Sequence, residues 1–303
     1  LTLILSTYSK KEFCRLVKTT GLNVKIGPFN IKLTSNVPTF LDNFYFLYSD
    51  CAIVGDDQYI DFHICLKPPS IVRRWYRPQV NFFINEFRPF KPLPIDQTMA
   101  FFEWGLNWTI AQQALQYLII HSAVVEKEGK AIILPGMPGA GKSTLCAALI
   151  HHGWRLLSDE QALISQDATE IVPLARPINL KNQSIEVIKE FCPDAKFGQI
   201  FAQTSKGDIC HVKPPVSAIE QIAVNAQPFA IVFPSYEHGL DQTKLTTMAK
   251  GETLIELINH CFNYTILGLD GFKRLSTLVE NSQCFSLSYS DLNSAISTLD
   301  ELY

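Results

Sequence analysis

The spacing of apolar and polar positions changes character several times along the chain. Between residues 22 and 66 the apolar residues alternate with polar ones or gather in short β-prone runs. Val24-Lys25-Ile26, Phe29–Leu33, Phe44–Leu47 and Tyr59–Leu66 predict strands, with turn residues between them and Pro68-Pro69 stopping the last. Residues 67–95 are rich in proline, arginine and aromatics. Within them, Arg73-Arg74-Trp75-Tyr76-Arg77-Pro78 has the guanidinium and aromatic groups that hold phosphates and stack bases. An edge strand covering a core is the plainer reading of that string. Residues 96–116 predict a helix, N-capped by Asp96 after Pro94. Phe101, Trp104, Leu106, Trp108, Ala111 and Leu115 spread apolar groups over most of its surface, as in a helix buried between layers. A tryptophan box for a cofactor is the sharper reading of the same residues.

From residue 117 the pattern tightens. Tyr117-Leu118-Ile119-Ile120 predicts a strand that continues through Ala123-Val124-Val125. Glu126–Lys130 is a polar turn, and Ala131-Ile132-Ile133-Leu134 is the returning strand. We place a boundary near residue 95, between a smaller β-rich N-terminal domain (1–95) and an α/β domain (96–303).

That returning strand feeds Gly136-Met137-Pro138-Gly139-Ala140-Gly141-Lys142-Ser143, which fits the Walker A pattern G-x-x-x-x-G-K-[ST] at every fixed position. An apolar helix, Thr144–Ile150, leaves it. The chemistry requires these residue types. Glycines let the backbone turn its N–H groups inward on phosphate oxygens, and the helix N-terminus adds positive partial charge. Lys142 reaches the β- and γ-phosphates, and the Ser143 hydroxyl suits Mg²⁺. The nucleotide-binding set is therefore Gly136, Pro138, Gly139, Ala140, Gly141, Lys142, Ser143 and Thr144. Trp154–Leu157 predicts a buried strand with Asp159 and Glu160 at its C-terminal end, where open α/β sheets bind ligands. One acid suits Mg²⁺; the other suits an attacking hydroxyl. An Asp at its ordinary pKa of about 3.9 is ionised at neutral pH and needs no tuning for that work. His121, in the strand expected to pair with the loop strand, reads equally as a group aimed at the phosphates and as a core histidine. His151-His152 fit the C-terminal end of the loop helix, where cations are favoured.

Composition narrows the function classes. Twenty-six Lys and Arg against 29 Asp and Glu give a net charge of −3, which lacks the global basic field of a dedicated nucleic-acid binder. No apolar run approaches the roughly 20 residues of a membrane span, and Leu1-Thr2-Leu3-Ile4-Leu5 is short for a signal-peptide core, so a cytoplasmic protein is expected. The eight cysteines share no C-x-x-C spacing and read as small buried hydrophobes rather than zinc ligands or disulfides.

His121-Ser122-Ala123, the phosphate loop and Arg155-Leu156-Leu157-Ser158-Asp159-Glu160 together resemble the catalytic domain of bacterial HPr kinase/phosphorylase, over about residues 115–300. The whole chain resembles the HPr-kinase-related "kinase A" group, through Glu103-Trp104-Gly105-Leu106-Asn107-Trp108, Arg176–Asn182 and Phe233–Glu237. The resemblance implies a P-loop kinase core similar to the nucleotide-binding part of phosphoenolpyruvate carboxykinase. It implies His121 as the active-site histidine and Asp159 as the catalytic base. Glu160 stands where the family has a second Asp that ligates Mg²⁺, which puts the family's phosphate-driven reverse reaction in question here. The family signature Glu-x-Arg-Gly-Leu-Gly is represented by Leu174-Ala175-Arg176-Pro177-Ile178-Asn179, keeping the arginine and losing the acid. We expect Arg176 to stabilise transferring charge, with Lys181 as a weaker partner. Thr204–Gly207 and His211–Pro215 read as a polar, basic loop region that either closes over substrate or is an ordinary exposed loop.

The expected function is thus an ATP- and Mg²⁺-dependent kinase acting on a hydroxyl, serine foremost, of a protein, peptide or small molecule. Asp159, His121, Lys142 and Arg176 are the catalytic set, and Ser143 with Glu160 the metal set. A nucleotide-sensing regulatory or scaffold protein without phosphoryl transfer is the rival, and a carboxykinase-like enzyme a third reading for which the chain is short. The N-terminal residues are expected to recognise substrate or mediate assembly, with a homo-oligomer among the arrangements considered.

Overall fold

The computed structural model describes residues 3–204 and 207–303. The alternating runs near the start build a five-stranded sheet, ordered Leu22–Ile26, Phe29–Ser35, Phe62–Lys67, Gln79–Ile84 and Leu93–Pro94. Phe29, Ile31 and Leu33 are buried while Asn30, Lys32 and Thr34 are half-buried, the period-two pattern of a sheet with one face on the core. Two helices cover that face. The first, Lys10–Thr19, opens with a capping box: Ser9 accepts from the Glu12 amide, and the Glu12 carboxylate accepts from the Ser9 amide.

The second covering helix, Pro38–Leu47, replaces the strand expected over Phe44–Leu47. Phe40, Leu41, Phe44 and Leu47 recur at helical spacing and are all buried, and Pro38 sits in the first turn, where a missing N–H costs nothing. Phe44 stacks on Tyr48 and meets the edge of Phe102, so tertiary packing decides the outcome against β-propensity. The Arg73–Pro78 string is also not an edge strand. Val72–Trp75 is a single helical turn with Val72 and Trp75 exposed, and the strand of that region is Gln79–Ile84.

The aromatic helix runs Thr98–Gln113. Asp96 lies in a 3₁₀ turn, Ile95–Gln97, and does not cap it; the N-cap residue is Gln97, without a side-chain cap bond. The helix buries Met99, Phe101, Phe102, Leu106 and Ile110 in the same apolar cluster as the N-terminal sheet. Gly105 allows this approach: a Cβ there would overlap the Phe82 ring.

The rest of the chain forms a six-stranded mixed sheet, ordered Lys244–Thr247, Gln283–Tyr289, Gln227–Tyr236, Lys130–Pro135, Ser122–Lys127 and Arg155–Ser158. The second, third and fourth of these run parallel. One face carries the loop helix Lys142–Ile150 and the C-terminal helix Leu292–Asp300; the other carries Leu269–Asn281 and Lys250–Ile258. This layered P-loop α/β core is the expected fold class. Two three-stranded sheets flank it: Ile171–Val172, Ala162–Ile164 and Leu118–Ile120; and Ile178–Lys181, Gly207–Val212 and Phe197–Thr204.

One expected strand is two. Leu118–Ile120 belongs to a flanking sheet and Ser122–Lys127 to the central one. The chain changes sheet at His121, whose amide donates to the His260 carbonyl. The region expected as a polar loop around residues 204–215 is largely a β-hairpin, with Ser205 and Lys206 outside the described residues. In it His211 is buried, and Lys213 pairs with Asp50 of the N-terminal part at 2.7 Å. The eight cysteines carry free thiols.

Candidate active site

Sheet register assembles the site. The strand before the phosphate loop pairs antiparallel with Ser122–Lys127, and Ser122 lies opposite Pro135, which brings His121 beside Gly136. Arg155–Ser158 pairs antiparallel with Ser122–Lys127 in turn, so it points the same way as the loop strand and delivers Asp159 and Glu160 to the same sheet edge. Three separate segments therefore meet at the glycine-rich loop.

The loop has the predicted form. Gly139 and Gly141 adopt φ of 91° and 90°, a region open to glycine at little cost. Gly141 is the N-cap of the Lys142–Ile150 helix, and a Cβ on it would overlap the Tyr289 hydroxyl. Pro138 and Gly139 are exposed, Ala140 and Thr144 partly so, and Ser143 sits in the first turn. Lys142 is buried and donates from Nζ to the Gly136 and Met137 carbonyls of its own loop. Burial lowers its pKa, against the opposing pull of Glu160 and Asp159.

Behind the loop the two acids differ. Asp159 is 5% exposed; its Oδ2 accepts from the Asn179 amide at 3.0 Å, and its Oδ1 makes no hydrogen bond. Burial, then the negative charge of Glu160, pushes its pKa up to about 7, with the Asn179 amide and the Ser143 hydroxyl resisting. The untuned, fully ionised Asp expected from sequence is corrected here: strand burial hides this carboxyl from water, which the motif alone does not reveal. Glu160 goes the other way. Burial works to raise it, but the His121 hydrogen bond, Lys181 and Arg176 outweigh that and hold it ionised, at about 2. His121 Nε2 lies 3.3 Å from Glu160 Oε2.

Arg176 lies buried between strands, with Nη1 3.4 Å from Glu103 Oε2 and Nη2 donating to Asn107 Oδ1. Glu103 also accepts from the Tyr48 hydroxyl at 2.5 Å, and Gln161 donates to the Asn107 carbonyl at 2.9 Å. Lys181 is half-buried on the strand after Arg176 and acts on Glu160 through its charge.

A cavity of about 520 Å³ opens beside the acids. Its floor includes His121, Asp159 and Glu160; its walls include Trp104, Asn107 and Trp108 of the aromatic helix, with Arg176 opposite. Sequence reasoning assigned Glu103 and Asn107 no role, and it read Trp104 and Trp108 as core with a cofactor box as the sharper alternative; all four line this cavity. Glu103 and Asn107 are one turn apart, as are Trp104 and Trp108, so each pair shares a face. The available signal was a glutamate on a mainly apolar helix, which demands a buried cation. His151 caps the loop helix and His152 Nδ1 bonds the Ala148 carbonyl at 2.8 Å, as expected. Glu237 accepts from Ser288, away from the acids.

Among known proteins, residues 99–174 match the family model described as SynChlorMet cassette protein ScmC. The chain is 29% identical to an HPr kinase/phosphorylase from Lactobacillus delbrueckii subsp. bulgaricus over 107 residues, 30% of this chain and 34% of the relative. It thus spans about a third of that relative's length. A structural comparison with the Hpr(Ser) kinase/phosphatase from Coxiella burnetii covers 61% of this chain and 92% of that one, at 11% identity and a TM-score of 0.26. Over those 107 residues the chain is similar to HPr kinase/phosphorylase.

Proposed function

We propose that the chain is a kinase that moves the γ-phosphoryl group of ATP to a hydroxyl, with serine the expected acceptor residue where the acceptor is a peptide or protein. One observation carries the reading: a buried carboxyl with a pKa near neutrality, Asp159, lies between a phosphate loop and a cavity large enough for an acceptor. Lys142 exchanges its loop carbonyls for the β- and γ-phosphates. Asp159 takes the acceptor's proton as the acceptor oxygen bonds to phosphorus and the bond to ADP breaks. His121 keeps Glu160 ionised. The unpartnered Nε of Arg176 meets the transferring group.

The donor set suits Mg²⁺. Ser143 and Glu160 are hard oxygen ligands at the mouth of the loop, and Mg²⁺ takes one or two carboxylates together with phosphates. When bound, the ion would neutralise charge on the β- and γ-oxygens. Titration of ATP with Mg²⁺ by calorimetry, followed by γ-labelled ATP with candidate acceptors, tests the reading. Binding followed by label transfer that Asp159→Asn abolishes is expected. Binding with full transfer in Asp159→Asn removes Asp159 as base. Binding without transfer to any acceptor favours a nucleotide sensor instead.

No helix among the described residues is long and apolar enough to cross a membrane. We propose a cytoplasmic setting and a nucleotide plus a hydroxyl acceptor as partners.

A further inference from the structure

The cavity also limits what the acceptor is. Asp159 is nearly sealed from solvent, so a hydroxyl reaches it only by entering the cavity. The volume, about 520 Å³, falls within the roughly 300–1,000 Å³ of small-molecule sites. Trp104 and Trp108 stand one helical turn apart on its wall, and Phe262 lies across from the helix beside His121. Flat apolar faces of this kind favour a flat apolar body.

Charge selects further. Glu103, Asp159 and Glu160 are the lining acids among the described residues, facing the guanidinium of Arg176 and the imidazole of His121. Arg176 is already matched to Glu103 and bonded to Asn107, and His121 is matched to Glu160. An anionic acceptor would find Arg176 engaged by Glu103, Asn107 and the transferring phosphoryl group, and His121 engaged by Glu160, with no further basic side chain among the described lining residues to pair with its own charge. A neutral or cationic one meets no such penalty.

We infer that the acceptor is a neutral or cationic alcohol of small-molecule size, with a flat apolar body seated on Trp104 and Trp108 and its hydroxyl on Asp159. The inference rests on the kinase reading above. Its step balances: the alcohol oxygen bonds to the γ-phosphorus, the bond to the ADP oxygen breaks, and the alcohol proton passes to Asp159.

Three aromatic alcohols of similar size separate the terms: phenylalaninol is cationic, 2-phenylethanol neutral and 3-phenyllactate anionic. Each is titrated into the full chain, with tryptophan fluorescence as readout. Saturable quenching by the first two, with a Kd at least about tenfold below that of phenyllactate, is expected. Ala100→Phe, or Ala111→Leu if that variant fails to fold, narrows the cavity and is expected to weaken phenylalaninol about tenfold while leaving ATP affinity unchanged. Equal or tighter binding of phenyllactate overturns the inference, as does failure of all three to saturate by about 10 mM. Label passing from γ-labelled ATP to a folded protein at a rate that Ala100→Phe does not alter also overturns it, and leaves the kinase reading intact. ATP binding without label transfer to any alcohol or protein, by contrast, sinks the kinase reading itself.

Discussion

Replacing Asp159 by Asn separates the cost of this carboxyl from its use. In the folded chain its pKa rises from 3.8 to about 7, because burial and Glu160 both oppose its charge. Between those values the folded state holds a proton that the unfolded state has released, so stability falls as pH rises from about 4 and levels off above about 7. A rise of about three pH units at 1.36 kcal/mol each bounds the loss at about 4 kcal/mol, and structural relaxation around a buried pair makes about 2 to 4 kcal/mol a fair range. Asn keeps an oxygen for the Asn179 amide and carries no charge. Asp159→Asn is therefore expected to match the parent at pH 4 and to exceed it by about 2 to 4 kcal/mol at pH 8. Urea unfolding at the two pH values, with unchanged m-values, measures this. The same stability difference at both pH values would refute the argument, since an uncharged cause has no pH dependence. The variant is also expected to lose phosphoryl transfer, so stability and activity move in opposite directions, as at a site strained for function.

Other perturbations test other parts. Glu103→Ala leaves Arg176 buried without its countercharge and is expected to cost about 3 to 5 kcal/mol in urea unfolding; a loss below about 1 kcal/mol would show that Glu103 does not hold it. Lys142→Ala removes the ammonium proposed to contact phosphate and should weaken ATP binding about 10- to 100-fold by calorimetry. Gly105→Ala drives a methyl into the Phe82 ring and is expected to cost about 1 to 3 kcal/mol, read as a lower melting temperature; an unchanged midpoint would mean the helix and sheet separate easily.

The glycine-rich loop and the helix that leaves it were legible because their signals are local. A phosphate loop is one continuous string, and the strands on either side of it carry their own period. Asp159 and Glu160 were legible for the same reason, since they end a strand. What escaped depends on contacts between distant segments. Phe44–Leu47 is β-prone in isolation and helical in place because Phe13, Phe40 and Phe102 surround Phe44. The corner at His121 is set by a hydrogen bond to His260, far along the chain. The acceptor wall escaped because a helix with apolar residues all round looks like core. Only the fold shows that Trp104 faces a cavity while Phe102 faces the N-terminal sheet.

The aromatic helix packs with one structural unit and serves the site of another, which bears on how such a protein diversifies. In the proposed reaction the nucleotide half would supply chemistry that is indifferent to the acceptor, and the helix would supply shape. On that reading a substitution at Ala100, Trp104 or Trp108 would change what fits without touching the glycine-rich loop. Separation of the two halves is a different matter. Cutting the chain near residue 95 would uncover Met99, Phe101, Phe102, Leu106 and Ile110 together. The N-terminal sheet is thus the mould that holds this wall in place, and under the proposed function selectivity would be inherited with a part of the chain that carries no chemistry of its own.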